Sequence, residues 1–238
     1  MGLIAATEYG LRPKCHIFDA YTRKVLHSFS MNTTLKCLGM AFSRAGEYLV
    51  IIGGVPDFKI SIFDLTKGEL LNLPETKLPC NYKSFVEVAY NPKSKEEFAI
   101  LADQALYFYT LKPAFELVQE ENNEADDDEP EMTNQLHDAH RLEMVEFLPD
   151  DVPVPEDNPP DGPIFFTSFK WDNYGRVHLC SNTEQILQVT SKQPHVEQSL
   201  DLPSVPMTTV LTQKHLIVAT EDGMINWYNV EIPYGHAD

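Results

Sequence analysis

The chain is poor in the features that mark enzymes, secreted proteins and nucleic-acid binders. Its 238 residues include only four cysteines, Cys15, Cys37, Cys80 and Cys180. No two form a CxxC pair, which excludes the close-spaced thiols of zinc fingers and redox motifs and points to reduced, mostly buried cysteines of a cytosolic protein. No apolar run is long enough to span a bilayer. The opening Met1-Gly2-Leu3-Ile4 segment has neither the basic flank nor the apolar length of a signal peptide. GxSxG, P-loop, GxGxxG and HExxH motifs are all missing, so no enzyme class has positive support. Bases are scarce as well. The 18 Lys and Arg face 36 Asp and Glu, a formal net charge of −18. Phosphates would meet a negative surface, so nucleic acid is a poor partner.

The acidity is local. Residues 116–161 hold 17 of the Asp and Glu and a single basic residue, Arg141, which leaves 19 acids against 17 bases elsewhere. A segment of this kind cannot bury enough apolar surface to fold, and residues 120–131 are expected to be disordered or solvated. Five prolines in residues 150–163 argue against regular structure there too. Residues 144–148, between these stretches, read as a short strand or a docking piece. The cluster Glu124, Asp126, Asp127, Asp128, Glu129 and Glu131 has two readings: a site that steers and docks a basic partner surface, or a solubilising loop with no partner.

What is present is a weak echo. Ile17-Phe18-Asp19 recurs as Ile62-Phe63-Asp64 and again as Tyr107-Phe108-Tyr109, each aromatic 45 positions after the last. Each sits near the end of a short alternating strand followed by a polar turn. A period of about 40–45 residues with four short strands per unit is the signature of a WD-repeat β-propeller. Strands are expected at 3–7, 14–19 and 24–29, the second to fourth strands of a blade whose first is missing. A full blade follows, with strands at 35–42, 48–52, 59–63 and 69–73 and a Gly-Gly-Val-Pro-Asp loop at 53–57 whose Gly and Pro suit special dihedrals. The third blade uses 84–90, 98–101, 105–110 and 114–118. After the acidic insert come strands at 164–171, 175–180 and 184–189, then 207–211, 215–219 and 224–229, where Tyr228-Asn229 takes the place of Phe63-Asp64. The fold class is therefore all-β, a WD-repeat β-propeller of about five blade equivalents with incomplete first and last blades. Blades occupy 1–118 and 164–232, the insert 119–163 and a tail 233–238. Raw sheet edges at both ends are normally protected, so either the ends complete one another or the chain is a piece of a longer protein, the reading favoured here.

The chemical candidates are weak beside their structural readings. Trp171-Asp172 resembles the signature dipeptide but ends a first strand, so it reads as core aromatic plus turn acid. Phe18, Asp19, Phe63, Asp64, Phe108 and Tyr228 are structural repeat positions, suited to inter-blade packing and turn hydrogen bonds. His137 and His140 form an unspecific HxxH that reads as a solvated loop rather than a zinc site. The Asp126–Glu129 run lacks the alternating ligands and central Gly of a calcium loop. Asp57 and Asp222 lie in turns. No cofactor, metal, catalytic residue or small-molecule substrate is expected.

Several segments carry a family likeness. Ala41-Phe42-Ser43 with Gly46, Tyr48 and Leu49, the Val55-Pro56-Asp57-Phe58 loop followed by Ile60, Ile62, Phe63 and Asp64, and Val88-Ala89-Tyr90-Asn91-Pro92 are the first part. Gly175-Arg176-Val177-His178, Gln185 to Val189 and His215 to Gly223 complete it. Together they resemble the axonemal WD-repeat cilia- and flagella-associated proteins, of the type that builds the tether and tether head of the inner dynein arm. The likeness spans residues 1–118 and 164–232. The chain departs from the family in its Phe or Tyr in place of signature Trp, its acidic insert, its shortness and its lack of a coiled-coil tail. The resemblance implies a static scaffold in the cytoskeleton of the cilium or flagellum. Its partners would be dynein tether components and doublet microtubule proteins, with no catalytic residue or cofactor to carry over. A direct hold on the acidic microtubule face is disfavoured by like charge. The rival readings are a cytosolic WD-repeat adaptor of another complex and a ligand-binding or enzymatic propeller.

Overall fold

The computed structural model describes residues 2–79, 85–102, 105–113, 139–152, 162–212 and 214–230. Among the described residues, eighteen strands form five antiparallel sheets. The first sheet orders β1 (Leu3–Thr7), β2 (Lys14–Asp19) and β3 (Val25–Ser30) side by side. The second holds β4 (Cys37–Phe42), β5 (Tyr48–Gly53), β6 (Ile60–Asp64) and β7 (Glu69–Leu70). The third is β8 (Glu87–Tyr90), β9 (Glu97–Ala102), β10 (Ala105–Pro113) and β11 (His140–Phe147). The fourth contains β12 (Phe166–Trp171), β13 (Val177–Ser181), β14 (Gln185–Val189) and β15 (Val196–Asp201). The fifth is β16 (Pro206–Leu211), β17 (His215–Thr220) and β18 (Ile225–Asn229). Each sheet is a meander in chain order, the economical arrangement when short strands are joined by tight turns. Among the described residues the first and fifth sheets have three strands each.

The chain divides into two compact units. In the first, the core lies between sheets one and two: Cys15 and Ile17 of β2 meet Leu49, Ile51 and Phe63. Phe29 stacks flat on Phe63 with ring centroids 3.9 Å apart. In the second unit, Leu101, Leu106 and Phe108 meet Phe169, Trp171, Val177 and Leu187. A further cluster joins Cys180, Ile186 and Leu202 to Leu216 and Val218. The period-2 alternation of a strand explains this: a blade buried between neighbours is apolar on both faces, as β5 is.

Three details differ from the sequence reading. The strand expected at 69–73 is regular only over Glu69–Leu70, although the Leu71 amide still donates to Ile62 O at 2.8 Å. The outer strand of the third sheet is β11, contributed from within the segment marked as an insert by its acidity; residues 114–118, expected to fill that place, lie outside the described residues. A 3-10 turn at Pro149–Asp151 follows β11. Finally, Gly53 and Gly54 do not supply a left-handed residue; Phe58 does, at φ 48°. The two glycines are required by close approach: a Cβ at Gly53 would lie 2.8 Å from Thr33 Oγ1, and one at Gly54 would lie 2.8 Å from Lys36 Cγ.

Candidate interaction site

The structural repeat positions separate into a turn device and a packing device. Asp19 and Asp64 close equivalent hairpins. Asp19 Oδ1 accepts the amides of Tyr21 and Thr22, at 2.9 and 2.7 Å. Asp64 Oδ1 accepts the amides of Thr66 and Lys67 and the Thr66 hydroxyl. Burial raises the Asp64 carboxyl, and these donors outweigh it, leaving the group below its ordinary pKa. The left-handed residue of each turn is Arg23 in one, φ 58°, and Gly68 in the other, φ 74°, again 45 positions apart.

Phe63 is fully buried, facing back toward the first sheet. Phe18, its equivalent on β2, is only partly buried. Phe108 is buried but packs forward, edge-on to Trp171 with centroids 5.8 Å apart. The exact spacing therefore hides a one-residue slip in facing, because adjacent strand residues point to opposite faces. β10 continues past this point to Pro113 where the other strands turn. Tyr228 lies on β18 against the last core cluster, and burial raises its hydroxyl pKa. The acidic candidates Glu124, Asp126, Asp127, Asp128, Glu129 and Glu131 lie outside the described residues, as does His137. His140 begins β11. Among the described residues no group of three His, Cys, Asp or Glu could hold a metal ion.

A second turn device was visible to the sequence reading only as Asp172, a turn acid, without its buried bonds. Ser43, Asn91 and Asp172 each end the first strand of a four-stranded sheet, and each is buried. Ser43 Oγ accepts the amides of Glu47 and Tyr48, and Asn91 Oδ1 accepts that of Lys93 at 2.8 Å. Asp172 is the strongest version. Its Oδ1 accepts the amides of Tyr174 and Arg176 at 2.8 and 2.9 Å. Its Oδ2 meets Arg176 Nε at 2.6 Å and His178 Nε2 at 3.3 Å. Burial pushes its carboxyl up, but the bonds to His178 and Arg176 and the turn amides pull it down to about 2. Arg176 also donates to Val230 O at 3.1 Å, tying the turn to the end of the last sheet. The available signal was an acid followed by Gly175, Arg176 and His178; the buried network itself spans residues too far apart to read from spacing.

The turns at Asn91 and Asp172 belong to the second unit. There, Ala89, Tyr90 and Pro92 of one first strand and its turn, Lys170 and Trp171 of the next, and Leu211 of the last line a cleft of about 620 Å³. Trp171 is fixed by an indole N–H that donates to Ala89 O at 3.1 Å. Lys170 is fixed by Glu87 at 2.5 Å, whose other carboxylate oxygen accepts the Phe169 amide at 2.8 Å. The cleft is thus mostly apolar, edged by a neutralised Lys–Glu pair. Asp172 and His178, a buried pairing of the kind used in acid–base chemistry, are each only 1% exposed and serve the turn. Cys15 and Cys180 are buried thiols pushed up to about 12 by desolvation, which leaves them unreactive. No helix among the described residues is long and apolar enough to cross a membrane.

No protein-family model matches the chain, and no curated protein matches it. Its backbone is similar to the crystal structure of the β-propeller domain of Cps50 (Swd1) from Myceliophteria thermophila, with a TM-score of 0.62 at 16% sequence identity. The match covers 100% of this chain and 68% of that one. At that identity the likeness carries the fold alone: with five antiparallel sheets and almost no helix among the described residues, the chain is a WD-type β-propeller.

Proposed function

We propose that this chain is a non-enzymatic interaction scaffold of the ciliary axoneme, which helps tether inner-arm dynein to the doublet microtubule and so supports ciliary motility. The scaffold part is supported by the fold, since stacked blades commonly present surfaces to protein partners. The observation that carries it is the pre-set, mostly apolar cleft beside Trp171, next to an Asp172–His178 pair closed to any substrate. Apolar clefts with fixed aromatic anchors suit a short segment of another protein. The axonemal part is supported by the resemblance over residues 1–118 and 164–232, and its partners are dynein tether components and doublet proteins.

The test is a tagged copy in a ciliated cell, compared with a variant in which Asn173, which also lines the cleft, is replaced, Asn173→Arg. The wild type is expected along the axoneme, with dynein-arm proteins recovered by proximity labelling, and the variant is expected to lose them. A diffuse cytoplasmic signal with members of another complex would replace the axonemal reading by that of a cytosolic adaptor.

A further inference from the structure

The lining of the cleft beside Trp171 includes Pro92, Asn173 and Thr212, from the turns that follow β8, β12 and β16. A cation stands by each turn. Lys93 follows Pro92 and is exposed, with its Cβ 3.5 Å from where a Cβ at Gly175 would lie. Arg176 closes the Asp172 turn, lies 5.0 Å over the exposed Tyr174 ring and donates to Val230 O. The Val230 amide donates in turn to Lys214 O at 3.0 Å, which ties the exposed Lys214 to the same place. The carboxylates nearby are already satisfied. Asp172 is held by Arg176 and His178, and Glu87 by Lys170 and the Phe169 amide. Glu96 and Glu97, the next acids after Lys93, are half-buried and engaged. Among the described residues neither Lys93 nor Lys214 has an ion-pair partner. A chain with 36 Asp and Glu against 18 Lys and Arg therefore presents positive charge at this cleft.

The main chain around the cleft limits how a partner can be held. β8, β12 and β16 are edge strands of their sheets, and a free edge invites an added strand. Side chains from neighbouring sheets occupy these edges instead. Glu87 accepts the Phe169 amide, the Trp171 indole donates to Ala89 O, and the Thr167 hydroxyl donates to Pro206 O at 2.6 Å. Strand addition is blocked at those points, so a partner has to be held by its side chains. A volume of about 620 Å³ suits a few side chains of a short segment.

We propose that the cleft receives a short acidic segment of another protein, with one apolar side chain entering beside Trp171 and Leu211 and flanking carboxylates meeting Lys93 and Lys214. This rests on the reading of the cleft as a site for a protein partner and adds the partner's chemistry; it does not depend on the axonemal part. The apolar lining supplies the anchor. The two ammonium groups speed encounter with an anionic segment and set like charge against a basic one, so they choose among segments with the same anchor.

Selection of a random peptide library displayed on phage against the full 238-residue chain tests it. The wild type should enrich peptides with an apolar residue flanked by Asp or Glu. Asn173→Trp, which fills the cleft without changing its charge, should enrich none of them. The double variant Lys93→Glu, Lys214→Glu, both at exposed positions and checked for unchanged β-sheet circular dichroism, should lose the preference for acids. A synthetic copy of a selected peptide, followed by fluorescence anisotropy, should bind the double variant about tenfold more weakly at low salt. Its affinity for the wild type should fall as salt is raised, a measurement that needs no variant. Apolar peptides without acids, or acidic peptides whose binding ignores both the lysines and salt, overturn the acidic partner and leave the cleft standing as a docking site. No enrichment by the wild type, or enrichment that survives Asn173→Trp, overturns both.

Discussion

Replacing Asp172 by Asn tests the turn device where it is strongest. Asn has the same shape and keeps an oxygen for the amides of Tyr174 and Arg176, but it places an NH2 group against Arg176 Nε and His178 Nε2. Two bonds to a buried carboxylate are lost. Hydrogen bonds to charged groups are worth about 1.5–3 kcal/mol each. The Arg176 side chain is 30% exposed and regains water, so the low end applies and the expected cost is about 3 kcal/mol. For a domain of this size that lowers the melting temperature by about 6–12 °C. The assay is urea unfolding followed by fluorescence in a Trp227→Phe background, which leaves Trp171, beside the site, as the only indole. The comparison has a pH signature. The Asp172 carboxyl titrates at about 2 when folded against 3.8 when unfolded. A depressed carboxyl contributes stability that is complete above the unfolded value and is lost as pH falls through the folded one, here about 2 kcal/mol. The gap between wild type and variant should therefore be full at neutral pH and narrow by about that amount between pH 3.8 and 2. A cost below about 1 kcal/mol, or a gap that does not change with pH, would refute the reasoning.

Phe63→Ala removes the ring stacked on Phe29 at the centre of the first unit and should cost about 3–5 kcal/mol in chemical denaturation; a cost near 1 kcal/mol would mean that the cluster repacks. The paired hairpins predict opposite signs: Gly68→Ala should destabilise by about 1 kcal/mol, while Arg23→Gly should be neutral or stabilise by a similar amount, because both positions are left-handed. Peptide mapping after brief iodoacetamide treatment should find Cys15 and Cys180 unmodified in the native protein and modified after unfolding, since both thiols lie far above neutral pH.

Much of the fold was legible because strands alternate. The core runs 48–52 and 98–101 could be read directly, and the Asp19 and Asp64 turns followed from an acid placed after an aromatic. The outer strand of the third sheet was legible only in part: residues 144–148 read as a short strand or a docking piece, but the surrounding acids hid its first half, and its place beside β10 is set by tertiary pairing. Phe108 was legible as buried but not as to which way it faces, because spacing repeats while facing depends on a single residue of register. The cleft was only partly visible: Trp171 was read as core, yet its anchor Ala89 and the Glu87–Lys170 pair lie more than 80 positions apart.

By itself the sequence determined that this chain builds short antiparallel sheets in a 45-residue rhythm, because hydrophobic alternation and turn residues act over a few positions. Only the tertiary structure decided which polar residues become buried turn anchors and where the cleft beside Trp171 opens. Those outcomes depend on what is packed against each face, and a residue's neighbours across a sheet interface are set by the whole stack rather than by its neighbours in the chain.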